Sequence, residues 1–181
     1  MTMTIGRKEA RPVSTAPDAR AALERMMGKY GERLLRMCAL QLRDAHLAED
    51  AVQETFLKAY RRLHTFRGES SELTWLTSIA IHVCRDMQRG AWLRHIDRRV
   101  DMSTLPEQGA SDSYADHTVI REVRALPPKY REVIVLHYYQ GLTLKETADA
   151  LRLSLTAVKA RLNRGNSVLR ERLKEWYNEA E

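Results

Sequence analysis

Leu23, Met27, Tyr30, Leu34, Cys38 and Leu42 recur at intervals of three and four residues. That spacing puts them on one face and predicts a helix from about Ala21 to Arg43. A second stripe, Ala48, Val52, Thr55, Phe56, Ala59 and Leu63, predicts a helix that starts near Leu47. The stretch TFRGESSEL breaks the period with Gly68 and two serines, which punctuate structure. A third stripe, Leu76, Ile79, Ala80, Val83, Cys84 and Met87, predicts a helix from about Leu73 to Gly90. Together these make a helical domain of roughly 75 residues, small enough for its own core to be marginal.

From Ile96 to His117 the period disappears, and Asp97, Asp101, Glu107, Asp112 and Asp116 sit among Pro106, Gly109 and three serines. This reads as a linker. About 20 extended residues span some 70 Å, so the blocks on either side need not touch. Periodicity resumes with a helix around Val119–Ala125, and Pro127-Pro128 then marks a further helix start. Tyr130, Val133, Ile134, His137 and Tyr138 share a face of that helix, which Gly141 closes.

The richest stretch is LTLKETADALRLSLTAVKARLNRGNSVLRERL, from Leu142 to Leu173. Thr143 followed three residues later by Glu146 is a capping box. Leu144, Ala148 and Leu151 then share a face, Arg152-Leu153-Ser154 makes the turn, and Ser154 caps a second helix with Val158 and Leu162 inward. Outward it presents Thr156, Lys159, Asn163 and Arg164, and from Arg152 to Lys174 there are seven Lys or Arg against one acid. A helix-turn-helix whose second helix enters a major groove has this pattern. A helical hairpin with a solvated basic face shares it. DNA binding is the better reading, although Arg152 stands where such turns often have Gly, which implies about 1 kcal/mol of backbone strain or a shifted turn.

Composition agrees with helices. Only 8 Gly, 5 Pro and 2 Phe occur in 181 residues, so turns are few and aromatic strand formers scarce. Net charge is +6 and the isoelectric point near 9.5, which suits a polyanionic partner. Charge is also unevenly placed: +4 over residues 20–95, −3 over 96–116 and +4 over 117–181. No hydrophobic run approaches the roughly 20 residues that span a bilayer. The N-terminus lacks a signal-peptide core and reads as a disordered tail. Cys38 and Cys84 fall on apolar faces, where a thiol behaves as a small hydrophobe, and a redox pair is the lesser reading.

No catalytic constellation is visible: there is no phosphate-binding glycine loop and no converging acid–base pair, so no enzyme is expected. His82 and Cys84 are two residues apart on a helix and diverge, so neither a metal nor a cofactor is expected. Two other surfaces stand out. Asp50, Gln53, Glu54, Leu57 and Arg61 form a polar stripe opposite the core face of the second helix, with a leucine at its centre as in a docking surface. The loop Thr65–Thr74, with Trp75, Arg85 and Arg89, combines an aromatic residue with positive charge, as single-strand binders do; Trp75 as a core anchor is the plainer reading.

The stretch AEDAVQETFLKAYRRLHTFRGESSELTWLTSIA resembles conserved region two of the extracytoplasmic-function (ECF, group IV) bacterial RNA polymerase sigma factors. LPPKYREVIVLHYYQGLTLKETADALRLSLTAVKARLNRG resembles their region four, and both occur in the family's order. The resemblance implies an all-α fold of two small helical domains joined by a flexible acidic linker. Region two is expected at 20–95 and region four at 118–181, with the linker at 96–117 between them and a tail at 1–19 outside the family pattern. The resemblance also implies core RNA polymerase (β′ clamp helices and β flap), promoter DNA and an anti-sigma factor as partners, with no small-molecule substrate. A cytoplasmic location follows, with the anti-sigma factor able to hold the protein at the inner membrane face.

By the same resemblance Asp50, Gln53, Glu54 and Leu57 dock on the polymerase clamp. Phe66, Arg67, Gly68, Glu69, Ser70, Thr74 and Trp75 cradle a base flipped from the non-template strand of the minus-ten element, and His82, Arg85 and Arg89 lie along that strand. Lys159, Ala160, Asn163 and Arg164 face base edges of the minus-thirty-five element, while Ser154, Thr156 and Arg161 hold phosphates. The chain departs from the family at His82, usually Asn, and at Arg152, usually Gly. The runner-up is a stand-alone helix-turn-helix regulator, for which the first block lacks a ligand pocket or phosphoacceptor.

Overall fold

The computed structural model of the chain describes residues 16–93 and 114–179. Among them α1 spans Ala16–Leu42, α2 Ala45–Arg62 and α3 Glu72–Leu93, with a 3₁₀ turn at Leu63–Thr65. α4 spans Tyr114–Ala125, and α5, Pro128–Ile134, runs on into a π-helical stretch at Val135–Tyr139. α6 spans Leu144–Leu151 and α7 Leu155–Glu179; no strand occurs among the described residues. Most of the expected tail and linker, residues 1–15 and 96–113, lies outside the described residues. At their inner edges α1 begins at Ala16 and α4 at Tyr114. Both helices thus reach past the boundaries that the hydrophobic stripes suggest, since a periodic pattern fixes a helix's ends less well than its middle.

α1, α2 and α3 pack together around Leu34, Met37, Cys38, Ala48, Ala51, Phe56, Ala59, Leu76, Ala80, Val83 and Cys84, all 4% exposed or less. The three alanines of α2 let its backbone approach its neighbours closely. Asp44 caps α2 by accepting from the Leu47 N–H at 2.9 Å. One expected core position is displaced: Met27 is 47% exposed and its neighbour Met26 is buried. Two adjacent methionines fit the stripe about equally, and packing selects the one in line with Leu34 and Met37.

The second block is built around α5, α6 and α7. Gly165 lets α7 lie close to α5: a Cβ there would stand 3.1 Å from Ile134 Cγ1. Tyr138, expected in the core, is instead 61% exposed, and its hydroxyl accepts from Asn166 Nδ2 at 3.0 Å. The π-helical turn holds more residues than an α turn, which rotates Val135 and Leu136 inward and Tyr138 outward. Gly141, at φ +68°, reverses the chain after it, and His137 Nδ1 donates to Leu142 O at 2.8 Å.

The two blocks touch. α6 packs on α3, and α1 meets α4, α5 and the π-helical stretch. Thr74, Thr77, Ile81 and Arg85 recur at helical spacing on α3, and Thr77 and Ile81 are fully buried. α3 is therefore covered on two faces, one by α1 and α2 and the other by α6. At the other end of the contact lies Arg131, 2% exposed. Its Nη1 donates to Arg124 O (2.8 Å) and Leu126 O (3.0 Å), and its Nη2 to Gln41 O (3.0 Å). One guanidinium thus satisfies carbonyls at the C-terminal ends of α4 and α1, where the helix dipole favours a cation. Burial pulls its pKa down to about 10, with nearby Arg43 adding to the shift.

Candidate nucleic-acid and polymerase surfaces

The capping box is formed. The Glu146 N–H donates to Thr143 Oγ1 at 3.2 Å, and the Thr143 N–H donates to Glu146 Oε2 at 2.9 Å. The Thr143 N–H, the Thr143 hydroxyl, which donates to Glu146 Oε2 at 2.8 Å, and the Thr74 hydroxyl together hold the Glu146 carboxyl below the usual carboxylate range. α6 ends at Arg152, whose φ 55° and ψ 48° are left-handed, and the Leu153 N–H closes back on Ala148 O at 2.9 Å. The turn has not shifted. An arginine holds the position where glycine is least strained. Ser154 then caps α7, accepting from the Ala157 N–H at 3.1 Å.

On α7 Val158 and Leu162 are buried. Ser154, Thr156, Lys159, Ala160, Asn163 and Arg164 are exposed and Arg161 is half-buried. The side expected to read DNA is open to solvent.

The loop after α2 builds an open pocket of about 490 Å³ lined by His64, Thr65, Phe66, Arg67, Glu69, Ser70 and Trp75. The Phe66 and Trp75 rings lie 5.1 Å apart at 40°, and Gly68 turns the loop at φ +72°. Trp75 packs on the core while also lining the pocket, so the anchor and pocket readings describe two sides of one ring. Five polar residues beside two aromatic rings suit a planar, hydrogen-bonding ligand such as a nucleobase. His64 escaped the sequence reading because it sits in the 3₁₀ turn, where no period marks a face.

Trp75, His82, Arg85 and Arg89 follow one another along α3. His82 Nδ1 donates to Ser78 O at 2.6 Å, which leaves Nε2 as an acceptor while the ring is neutral. Arg89 is exposed and paired with Asp86 at 2.7 Å. Arg85 is engaged differently: its Nε and Nη2 donate to the two carboxylate oxygens of Glu132, each at 2.7 Å, and its Nη1 to Leu151 O at 3.3 Å. Thr74 does not line the pocket; its hydroxyl accepts from Ser71 Oγ at 2.8 Å and donates to Glu146 Oε1 at 3.0 Å. Two of the expected strand-facing residues are therefore held by the second block. Glu132 and Arg131 were missed, and their one signal was a charged pair beside the apolar run VIVL.

On α2 Asp50 and Gln53 are exposed, and Leu57 is 52% exposed. Glu54 is half-exposed and pairs with Lys58 at 3.5 Å. All four lie away from the core, as a docking stripe requires. Cys38 and Cys84 are free thiols in the core. A hydrogen bond with Cys84, and then burial, push the Cys38 thiol well above its ordinary pKa, which favours the protonated form. Among the described residues no three His, Cys, Asp or Glu side chains cluster to hold a metal ion, and no helix is long and apolar enough to cross a membrane.

Residues 26–94 match the family described as Sigma-70 region 2, and residues 117–165 match Sigma-70, region 4. The ECF RNA polymerase sigma factor SigX of Bacillus subtilis is 34% identical over 163 residues, covering 80% of this chain and 79% of SigX. The ECF sigma factor SigL of Mycobacterium tuberculosis is 34% identical over 170 residues, covering 90% of this chain and 96% of SigL. The fold is shared with the sigma factor RpoE of Bartonella quintana, solved in complex with the anti-sigma factor NepR. That match has a TM-score of 0.68 and 23% identity, and covers 88% of this chain and 98% of RpoE. With the helix-turn-helix, the aromatic pocket and the polar stripe all in place, this chain belongs to the ECF sigma factors of bacterial RNA polymerase.

Proposed function

We propose that this chain is a group IV sigma factor, that it docks on the polymerase clamp through Asp50, Gln53, Glu54 and Leu57, and that it reads a promoter with two separate surfaces. The aromatic pocket and the α3 face take the melted minus-ten strand, and the exposed face of α7 enters the major groove at the minus-thirty-five element. The β flap holds region four, and the chain itself performs no catalysis. The observation that supports this reading best is the freedom of Lys159, Asn163 and Arg164 beside a formed helix-turn-helix. Arginine or lysine to guanine and asparagine to adenine are the pairings that groove geometry favours. An anti-sigma partner, as in the complex of RpoE with NepR, and a cytoplasmic location complete the proposal.

Elements about 25 base pairs apart lie on the order of 85 Å apart along B-DNA, at about 3.4 Å per pair. The two blocks reach both only by separating, on the linker proposed for residues 96–117. Reconstitution tests the reading: the chain added to core RNA polymerase should co-elute with it and direct initiation at defined start sites. Failure to bind core polymerase would leave a DNA-binding regulator instead.

A further inference from the structure

Arg85 and Thr74 face two incompatible partners. On the strand-facing side of α3 they are placed for DNA, yet here Arg85 grips Glu132 through two 2.7 Å bonds and Thr74 bonds Glu146. Farther along the same contact Arg33 Nη2 donates to Gln140 O at 3.0 Å, and Gln140 Nε2 donates back to Arg33 O at 3.2 Å. The contact is also imperfect. Thr77 Oγ1 on α3, Thr147 Oγ1 on α6, Gln41 Nε2 and Gln140 Oε1 are buried with no hydrogen-bond partner among the described residues. Buried polar atoms left unpaired weaken the state that buries them, so this interface is poorer than a domain core and suited to opening.

We propose that in the free protein region four acts as an intramolecular clasp: it closes over the minus-ten face of region two and occupies Arg85 and Thr74, so that strand binding and the closed form exclude each other. This regulation rests on the minus-ten assignment proposed above. The closed form then lowers the apparent affinity of the free factor for single-stranded DNA by the fraction of molecules that are open. Polymerase, by holding the two blocks apart, releases Arg85 for the strand.

Two variants of the full chain test it, Glu132→Gln and Arg33→Ala, neither in a DNA- or polymerase-binding surface. The readouts are the radius of gyration by X-ray scattering and the affinity for a fluorescein-labelled random single-stranded DNA dodecamer. Both variants should expand the protein and tighten DNA binding by about threefold or more. Arg33→Ala is the sharper of the two, because loss of a positive charge by itself weakens DNA binding. Glu171→Gln removes an exposed acid outside the contact and controls for charge in the other variant. Unchanged scattering in both variants, or weaker DNA binding by Arg33→Ala, overturns the clasp. The minus-ten assignment is checked separately by Arg89→Ala, which should weaken the dodecamer in the opened variants. If the variants open but Arg89→Ala has no effect, the strand face is misassigned, and the exclusion of DNA by the clasp falls with it.

Discussion

Arg152 shows how a single residue can depart from a family pattern while the backbone does not. Its left-handed φ of 55° costs an L-residue roughly 1–2 kcal/mol, which glycine avoids, although its freer backbone raises the entropy of the unfolded chain and offsets part of the gain. Arg152→Gly should therefore raise the stability of the protein by up to about 1 kcal/mol, read as a higher urea midpoint. A lower midpoint would mean that the arginine side chain stabilises the turn by more than the strain costs. Glu146 gives a second test, in pH. Its folded pKa is lowered, first by the backbone and side-chain bonds from Thr143, so its stabilising effect is fully present above the unfolded carboxylate pKa. It is lost as pH falls through the lower folded value. Acid should destabilise the wild type more steeply than Glu146→Gln across the window just below about pH 4.3. Parallel acid-stability curves for the two proteins would refute that role.

At the scale of elements, much of this molecule was legible in the sequence. The capping box, the turn at residues 152–154, the inward Val158 and Leu162 and the stripe on α2 all follow local rules of period and capping, and all are found. What was not legible has a common cause. Met26, Tyr138 and Ile81 are placed by tertiary packing or by a π-helical turn, which a 3.6-residue period cannot see. The stripe on α2 yields a prediction of its own. Replacing Gln53 with Ala and Leu57 with Asp should weaken core-polymerase binding severalfold while helical content stays the same, since both side chains are exposed and hot-spot contacts carry most of an interface. Unfolding of this variant would show the face to be structural. On α7, Arg164→Ala should cost about 1–3 kcal/mol and relax selectivity at one or two minus-thirty-five positions. Arg161→Ala should weaken all sequences alike and flatten the salt dependence by about one unit. Uniform loss by both, measured across a promoter library, would remove Arg164 from base reading.

For the whole molecule the sequence reading allowed the two blocks to stay apart, and the structure brings them together through residues that no local pattern singles out. Arg131 and Glu132 look like a surface pair, yet one caps two helix ends and the other holds Arg85. A contact with several unpaired buried atoms is weak between separate molecules but favoured within one chain, because a short tether gives an effective concentration on the order of millimolar. If the closed form outweighs the open one by roughly ten to one, the same halves untethered should bind with a Kd near 0.1 mM. Proteolysis within residues 96–113, where the sequence predicts the linker, should then yield two helical fragments that elute apart at micromolar concentration, although the uncut chain is compact by scattering. Co-elution at that concentration would mean an interface at least tenfold tighter, and polymerase would have to supply more than about 1.4 kcal/mol beyond that balance to pull the blocks apart. Fragments that separate, from a chain that is closed before cutting, fit a clasp held shut mainly by the tether and therefore one that a partner on either block can open.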